Sequence, residues 1–246
     1  MPIRNIPRYH ARFGETRADI LSAQVLRHRC FRGGEGLDAD SFDDICRHVL
    51  IEDAITGKLV ASFRLLPFPD GKSISDSYSA QFYELSALYD YNSPMIEMGR
   101  FCIDPEAQGG ADILRVAWGA MTRYVDQEKI GLLFGCSSFH GTDEARYLDT
   151  FALLRDRHIA PKRWRPRVKA PNVFRFAQRL RRAPDTKRAM LGLPPLLRTY
   201  LMMGGWVSDH AVVDHDLDTL HVFTGVEIAS VPPARARLLR AVATPA

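Results

Sequence analysis

Long apolar runs are missing from this chain. No stretch approaches the roughly 20 residues that a membrane-crossing helix needs. The 46% hydrophobic residues are therefore core material, enough for one large domain across residues 1–246. The opening MPIRNIPRYHARFGETR has no apolar h-region, so a cytoplasmic protein is expected. Cysteine is scarce as well. Cys30, Cys46, Cys102 and Cys136 stand far apart without a CxxC pair, which argues against a disulfide framework and against the usual zinc spacings. Internal repeats and low-complexity linkers are absent too.

Charge is present but unevenly spread. The net charge is +4. Residues 155–190 hold 13 Lys/Arg against two Asp, or +11, which leaves −7 for the rest of the chain. A segment this basic suits a polyanionic partner: an acidic protein, an anionic membrane surface or nucleic acid.

The densest chemical signal is PMIEMGRFCIDP at 94–105. Glu97 and Arg100 stand in a strand whose other residues are mostly apolar, where an unpaired ion costs several kcal/mol. Alternation along a strand puts Glu97, Gly99 and Phe101 on one face and Met98, Arg100 and Cys102 on the other. Two readings follow: an ion pair that fixes register, or a carboxylate that accepts a proton.

Around this strand the pattern predicts a helix over 17–31, with Ile20, Leu21, Val25, Leu26 and Phe31 at helical spacing. Strands are predicted over 47–53 and 58–66, joined at Thr56-Gly57. A short helix is expected over 79–90, then the strand 94–103. An amphipathic helix follows over 110–129, with Ile113, Leu114, Ala117, Met121 and Val125 inward. The next strand is expected over 130–139. LLRTYLMMGGWVS and TLHVFTGVEIA read as final strands, with Gly204-Gly205 at a bend. The fold class is α/β, a mixed sheet flanked by helices, with a basic helical insertion at 155–190.

Upstream of Glu97 lie VLRHRCF (25–31), the acidic pair Asp40 and Asp43, and ASFRLLP (61–67). In this order, with the ExxRF of 97–101, these motifs resemble the acyl-carrier-protein-dependent branch of the GCN5-related N-acyltransferases (GNAT). That branch includes the acyl-homoserine lactone synthases and the ornithine N-acyltransferases. LLFGCSSFHGTD and PPLLRTYLMMGGWVSDHAVVDHDLDTLHVF are more similar to the ornithine enzymes.

The resemblance implies the GNAT fold, a central twisted mixed sheet whose strands 96–103 and 130–138 splay to admit a pantetheine arm. It implies transfer of a 3-hydroxyacyl group from acyl carrier protein to the α-amine of L-ornithine, giving lyso-ornithine lipid. No resident cofactor and no metal is implied; the phosphopantetheine arm enters with the substrate. Glu97 and Arg100 would be catalytic, with Glu97 the general base. Asp40, Asp43 and Arg64 would bind the amino acid, and Arg27 and Phe31 would order the first helix over the site. Ser137 and Ser138 would meet the pantetheine amides. Arg179, Arg181 and Arg182 would contact the carrier protein or an anionic inner-membrane surface. The loop DPEAQGGAD offers only a partial pyrophosphate cradle, which favours a carrier protein over CoA. The alternatives are an acyl-homoserine lactone synthase and a nucleic-acid-binding module using the basic segment.

Two further patterns are set aside. Ser138, His140 and Asp143 crowd within six residues without a GxSxG elbow. His210, Asp214, His215, Asp216, Asp218 and His221 lack calcium-loop and zinc spacing, and read as a polar connection between strands.

Overall fold

The computed structural model describes residues 7–243. In chain order the strands are β1 (Tyr9–Phe13), β2 (Arg47–Asp53), β3 (Leu59–Phe68), β4 (Tyr83–Glu84), β5 (Met95–Ile103) and β6 (Leu132–His140). They continue as β7 (Arg167–Val168), β8 (Val173–Phe174), β9 (Trp206–Val207), β10 (Ala211–Asp214) and β11 (Thr219–Glu227). The helices are α1 (Arg17–Phe31), α2 (Gly110–Gln127), α3 (Leu148–Arg157), α4 (Phe176–Arg179), α5 (Thr186–Gly192), α6 (Pro195–Met202) and α7 (Pro233–Ala243). Two compact units divide the chain: residues 1–66, 98–129 and 233–246 form the first, and 67–97 with 130–232 the second.

In the first unit β1 pairs antiparallel with β2, Tyr9 opposite Asp53 and Phe13 opposite Val49. β2 pairs antiparallel with β3, with a register shift at Ile51/Glu52. Helix α1 starts where Thr16 and Asp19 exchange capping hydrogen bonds, each 3.1 Å. Its bounds match the sequence reading, but its buried face does not. Ala23, Leu26 and Arg27 point inward, while Leu21 and Val25 are exposed. A paired arginine has displaced the expected apolar stripe. In α2 the expected Ile113, Ala117, Met121 and Val125 are buried. Gly119 of α2 lets α7 approach: a Cβ there would lie 3.0 Å from the Val242 carbonyl oxygen. Arg123 donates to the Ala243 carbonyl (2.8 Å), and Arg240 pairs with Asp126 (2.8 Å).

In the second unit the start of β5 runs parallel to β6, Met95 to Glu97 opposite Leu132 to Phe134. β6 pairs antiparallel with β11 from His140–Thr219 to Leu132–Glu227. β11 continues antiparallel to β10, and β10 to β8. The sheet is therefore mixed. Phe151, Leu154, Phe176 and Leu197 pack with Phe139, Leu220 and Val222 as one buried cluster. Asp214 closes the β10–β11 turn by accepting from the Asp216 and Leu217 N–H groups. The acidic run is thus the polar connection expected of it.

Several expectations fail here. Residues 79–90 are not one helix: 3₁₀ turns at Ser79–Gln81 and Ser86–Leu88 flank β4. Pairing of Tyr83 with Val168 of β7 overrides local propensity. LLRTYLM is helix α6, not strand. Pro195 sits in its first turn, where proline's fixed φ favours a helix, and Leu197 and Tyr200 are buried. The basic stretch 155–190 is not a run of helix either. Pro161, Pro166, Pro171 and Pro184 interrupt it, and it alternates the end of α3, a 3₁₀ turn, β7, β8, α4 and α5.

Candidate active site

The first unit gathers the charged residues that the sequence singled out. Arg27 on α1 is only 1% exposed. Its Nη1 and Nη2 donate to the two carboxylate oxygens of Asp43 (2.7 and 2.8 Å), and its Nε donates to Asp38 (3.0 Å). Arg64 on β3 forks onto Asp40 (2.6 and 2.7 Å) and reaches Asp43 (2.9 Å). Arg100 on β5 pairs with Asp38 (3.0 Å) and Asp40 (3.4 Å). Three arginines thus meet three aspartates, and bidentate pairing of this kind is the strongest form of salt bridge. Removing one member would strand a buried charge, at a cost of about 3–5 kcal/mol.

Local geometry explains why this sequence builds the network. Asp40 caps the 3₁₀ turn Ser41–Asp44 by accepting from the Phe42 N–H (2.9 Å), and Asp43 reaches back to the Asp40 N–H (3.3 Å). The spacing of Asp40 and Asp43 is therefore a capping box as well as an ion-pair motif. Arg100 has φ +53, which breaks the alternation expected along β5. A Cβ at Gly99 would make only an ordinary contact with Arg64, 3.8 Å from its Nε. Burial alone would raise the Asp43 pKa, but Arg27 and Gln24 hold the carboxyl well below its usual range. For Asp40 the same burial is outweighed by Arg64. Asp40, with 26% of its side chain exposed, is the network's open edge. Phe31 closes α1 one turn beyond Arg27, partly buried.

Sequence reasoning missed Asp38. It stands two residues before Asp40, and the DxxD spacing drew attention away from it.

In the second unit Glu97 is 3% exposed. Its carboxylate accepts from the Tyr78 N–H (2.8 Å), the Ser79 N–H (2.7 Å) and the Ser79 hydroxyl (2.5 Å). Ser79 also lies 3.4 Å from the Cys136 sulfur on β6. Ser79 was not legible in the sequence, because nothing near it marks a partner 18 residues away. Ser137 and Ser138 lie on opposite faces of β6. Ser137 is buried and accepts from the Thr224 hydroxyl (3.0 Å), while Ser138 is exposed.

Arg179, Arg181 and Arg182 are exposed. Arg182 already pairs with Asp149 (2.5 Å). Arg155 pins their loop by donating to the Leu180 and Arg182 carbonyls (2.7 and 2.9 Å). Among the described residues no group of three His, Cys, Asp or Glu is placed to hold a metal ion. No described helix is long and apolar enough to cross a membrane.

A curated L-ornithine N(alpha)-acyltransferase from Rhodobacter capsulatus is 33% identical over 230 residues, covering 87% of this chain and 88% of that protein. The chain belongs to the L-ornithine N(alpha)-acyltransferase family. A second member, from Brucella abortus, is 29% identical and covers 86% of this chain and 82% of its own length. The family model of the acetyltransferase (GNAT) domain matches residues 24–118. That match spans the Arg27–Asp43–Arg64–Arg100 network and Glu97. The solved structure of an N-acyl amino acid synthase from uncultured soil microbes shares the fold, with a TM-score of 0.55 at 11% identity over 93% of this chain and 98% of that one. The protein is thus an acyltransferase of GNAT fold, as the motif order implied.

Proposed function

We propose that this enzyme transfers a 3-hydroxyacyl group from acyl carrier protein to the α-amine of L-ornithine, releasing lyso-ornithine lipid. The family membership, at 33% identity over most of the chain, carries this reading. The amine nitrogen attacks the thioester carbonyl, the new C–N bond forms, the C–S bond breaks, and one proton moves from nitrogen to the departing sulfur. Glu97 serves as the base. Its donors from Tyr78 and Ser79 favour the ionised carboxylate. The Ser79 hydroxyl, donating to Glu97, can take the amine proton as it passes on its own. Asp40, at the open edge of the ion network, receives an ornithine ammonium, and Arg100 beside it faces the ornithine carboxylate. Arg27, Arg64 and Asp43 hold those two in place, and Phe31 supports α1. Of the two serines, exposed Ser138 is the one free to meet the amides of the pantetheine arm, while buried Ser137 supports the strand by accepting from Thr224. That arm arrives as substrate, so no resident cofactor is required.

The loop after β5 supports a carrier-linked donor. Asp112, in the first turn of α2, pairs with Arg115 (3.1 Å), so an acid stands where a pyrophosphate would need the helix N-terminus. Buried Asp104 engages Arg29 (2.7 Å) and Lys58 (3.0 Å). Arg179 and Arg181 face the acidic carrier or an anionic inner-membrane surface, on a cytoplasmic protein.

The test is acyl transfer by purified protein, with 3-hydroxyacyl carrier protein and 3-hydroxyacyl-CoA competing at equal concentration, read by mass spectrometry. Carrier-linked donor should dominate the ornithine amide formed; comparable use of CoA removes the donor assignment. Glu97→Gln should lower turnover by roughly 10²–10⁴ while the protein stays folded. Near-normal turnover in that variant removes Glu97 as the base.

A further inference from the structure

One concave surface of the second unit has no part in the chemistry above. A cavity of about 310 Å³ is lined by Lys162, Arg165, Arg167, Arg175, Gln178 and Asp209. Four cations thus face one carboxylate. Three separate stretches of chain build it: the 3₁₀ turn and β7, the α4 region, and the approach to β10. Such convergence is unlike a solvated helix face, where like charges spread apart.

Arg165 is the committed cation of the four, and, after His210, it also helps hold the Asp209 carboxyl below its ordinary range. Arg165 donates from Nε and Nη2 to one carbonyl, that of Ala160 (3.2 and 3.0 Å), which fixes its plane. Arg167 has only a long, exposed pairing with Glu84 (3.7 Å). Lys162 and Arg175 have no ion-pair partner among the described residues. The single acid, Asp209, is engaged by the neighbouring His210 Nδ1 at 2.7 Å.

We infer that this cavity is a binding site for a phosphate group, as a mono- or diester. The excess of cations exceeds what a single carboxylate ligand would balance, and arginine forks match tetrahedral oxyanions. The cavity has room for one headgroup-sized anion and its hydration. A flat membrane-facing patch would spread the same charges over an open surface. Two sources share the chemistry, the phosphodiester of a carrier-linked arm and the headgroup of a phospholipid. β7 hydrogen-bonds to β4 with Val168 opposite Tyr83, and Tyr83 follows Ser79 by four residues, at most about 15 Å of chain. The cavity rim is therefore tied closely to the loop that holds Glu97.

Titration calorimetry on the full chain tests this without reference to catalysis. The probes are inorganic phosphate, 4′-phosphopantetheine, and vesicles of phosphatidylglycerol against phosphatidylcholine. Wild type should bind phosphate and at least one ester, more weakly as salt rises. Lys162→Gln with Arg175→Gln should weaken binding roughly ten-fold or more, since each charge-assisted hydrogen bond lost is worth more than a kcal/mol. Both side chains are exposed, so the thermal midpoint should hold. Arg175→Lys keeps the charge and should retain part of the affinity. Tightest binding of phosphopantetheine assigns the arm, and tightest binding of phosphatidylglycerol vesicles assigns the headgroup. No binding of any probe, or binding unchanged in the double variant, overturns the site.

Discussion

His221 lies 3% exposed beneath Tyr83, whose hydroxyl donates to the His221 carbonyl (2.8 Å). That hydroxyl has one proton, so at 3.1 Å it must accept from His221 Nδ1, and the imidazole is the Nδ1–H tautomer. Burial then pushes its pKa down to about 4 from 6.5, with the nearby His210 adding to the shift and Asp214 opposing it. The folded state therefore refuses a proton that the unfolded chain accepts. Stability is complete above pH 6.5 and falls as pH drops from there towards about 4, by roughly 3 kcal/mol from this group. Urea unfolding at pH 7 and at pH 4.5 should show most of that loss in the wild type. His221→Gln should lose distinctly less over the same interval; equal slopes in both proteins would deny the neutral buried imidazole. Single residues were the scale at which the sequence spoke least completely. Arg100 was legible because charge within an apolar strand is conspicuous, whereas Arg27, Arg64, Asp40 and Asp43 were legible only through the order of motifs that resembles the N-acyltransferases. Asp38 and Ser79 were not, because their partners are brought to them only by folding.

Elements with strong local signals were read well: α1 and β2 at the observed bounds, α2 and β5 within a residue or two. The apolar run of α6 fits strand and helix periods alike, and Pro194-Pro195 was the overlooked arbiter. β4 and its flanking turns were misread because a distant strand, β7, decides them. The 3₁₀ turn that precedes them contains a position whose tolerance can be measured. Gly71 opens the 3₁₀ turn Gly71–Asp76 and donates to the Tyr91 carbonyl (2.8 Å). A Cβ there would lie 1.9 Å from the Leu88 carbonyl oxygen and 2.7 Å from that of Tyr89. Backbone on both sides must move to admit it. Gly71→Ala should therefore cost about 2 kcal/mol or more, within the range of overpacked core substitutions. A thermal midpoint within a degree of wild type would show that the two loops are not locked together.

Across the whole chain the charge is segregated, +11 within 155–190 against −7 elsewhere. The composition announced this imbalance, but not its fine structure. Arg182 is committed to Asp149 and Arg155 to the carbonyls of the loop, whereas Arg179 and Arg181 stand exposed. Arg179→Glu with Arg181→Glu is therefore the cleaner probe of long-range attraction. It should raise the apparent KM for the carrier-linked donor several-fold at low salt, leave kcat nearly unchanged, and lose its effect as ionic strength rises. An unaltered KM at low salt would return these arginines to solvent.

The first unit is assembled from stretches that begin and end the chain, with α7 lying against α2 through Gly119, Arg123 and Asp126. Translation runs in one direction, and domains generally fold as their residues emerge. A ribosome delivers every residue of the second unit, through 232, before it delivers α7. Helix α2 must wait with that flank uncovered while the later-encoded unit is already complete in sequence. The half of the protein made first is the half that finishes last.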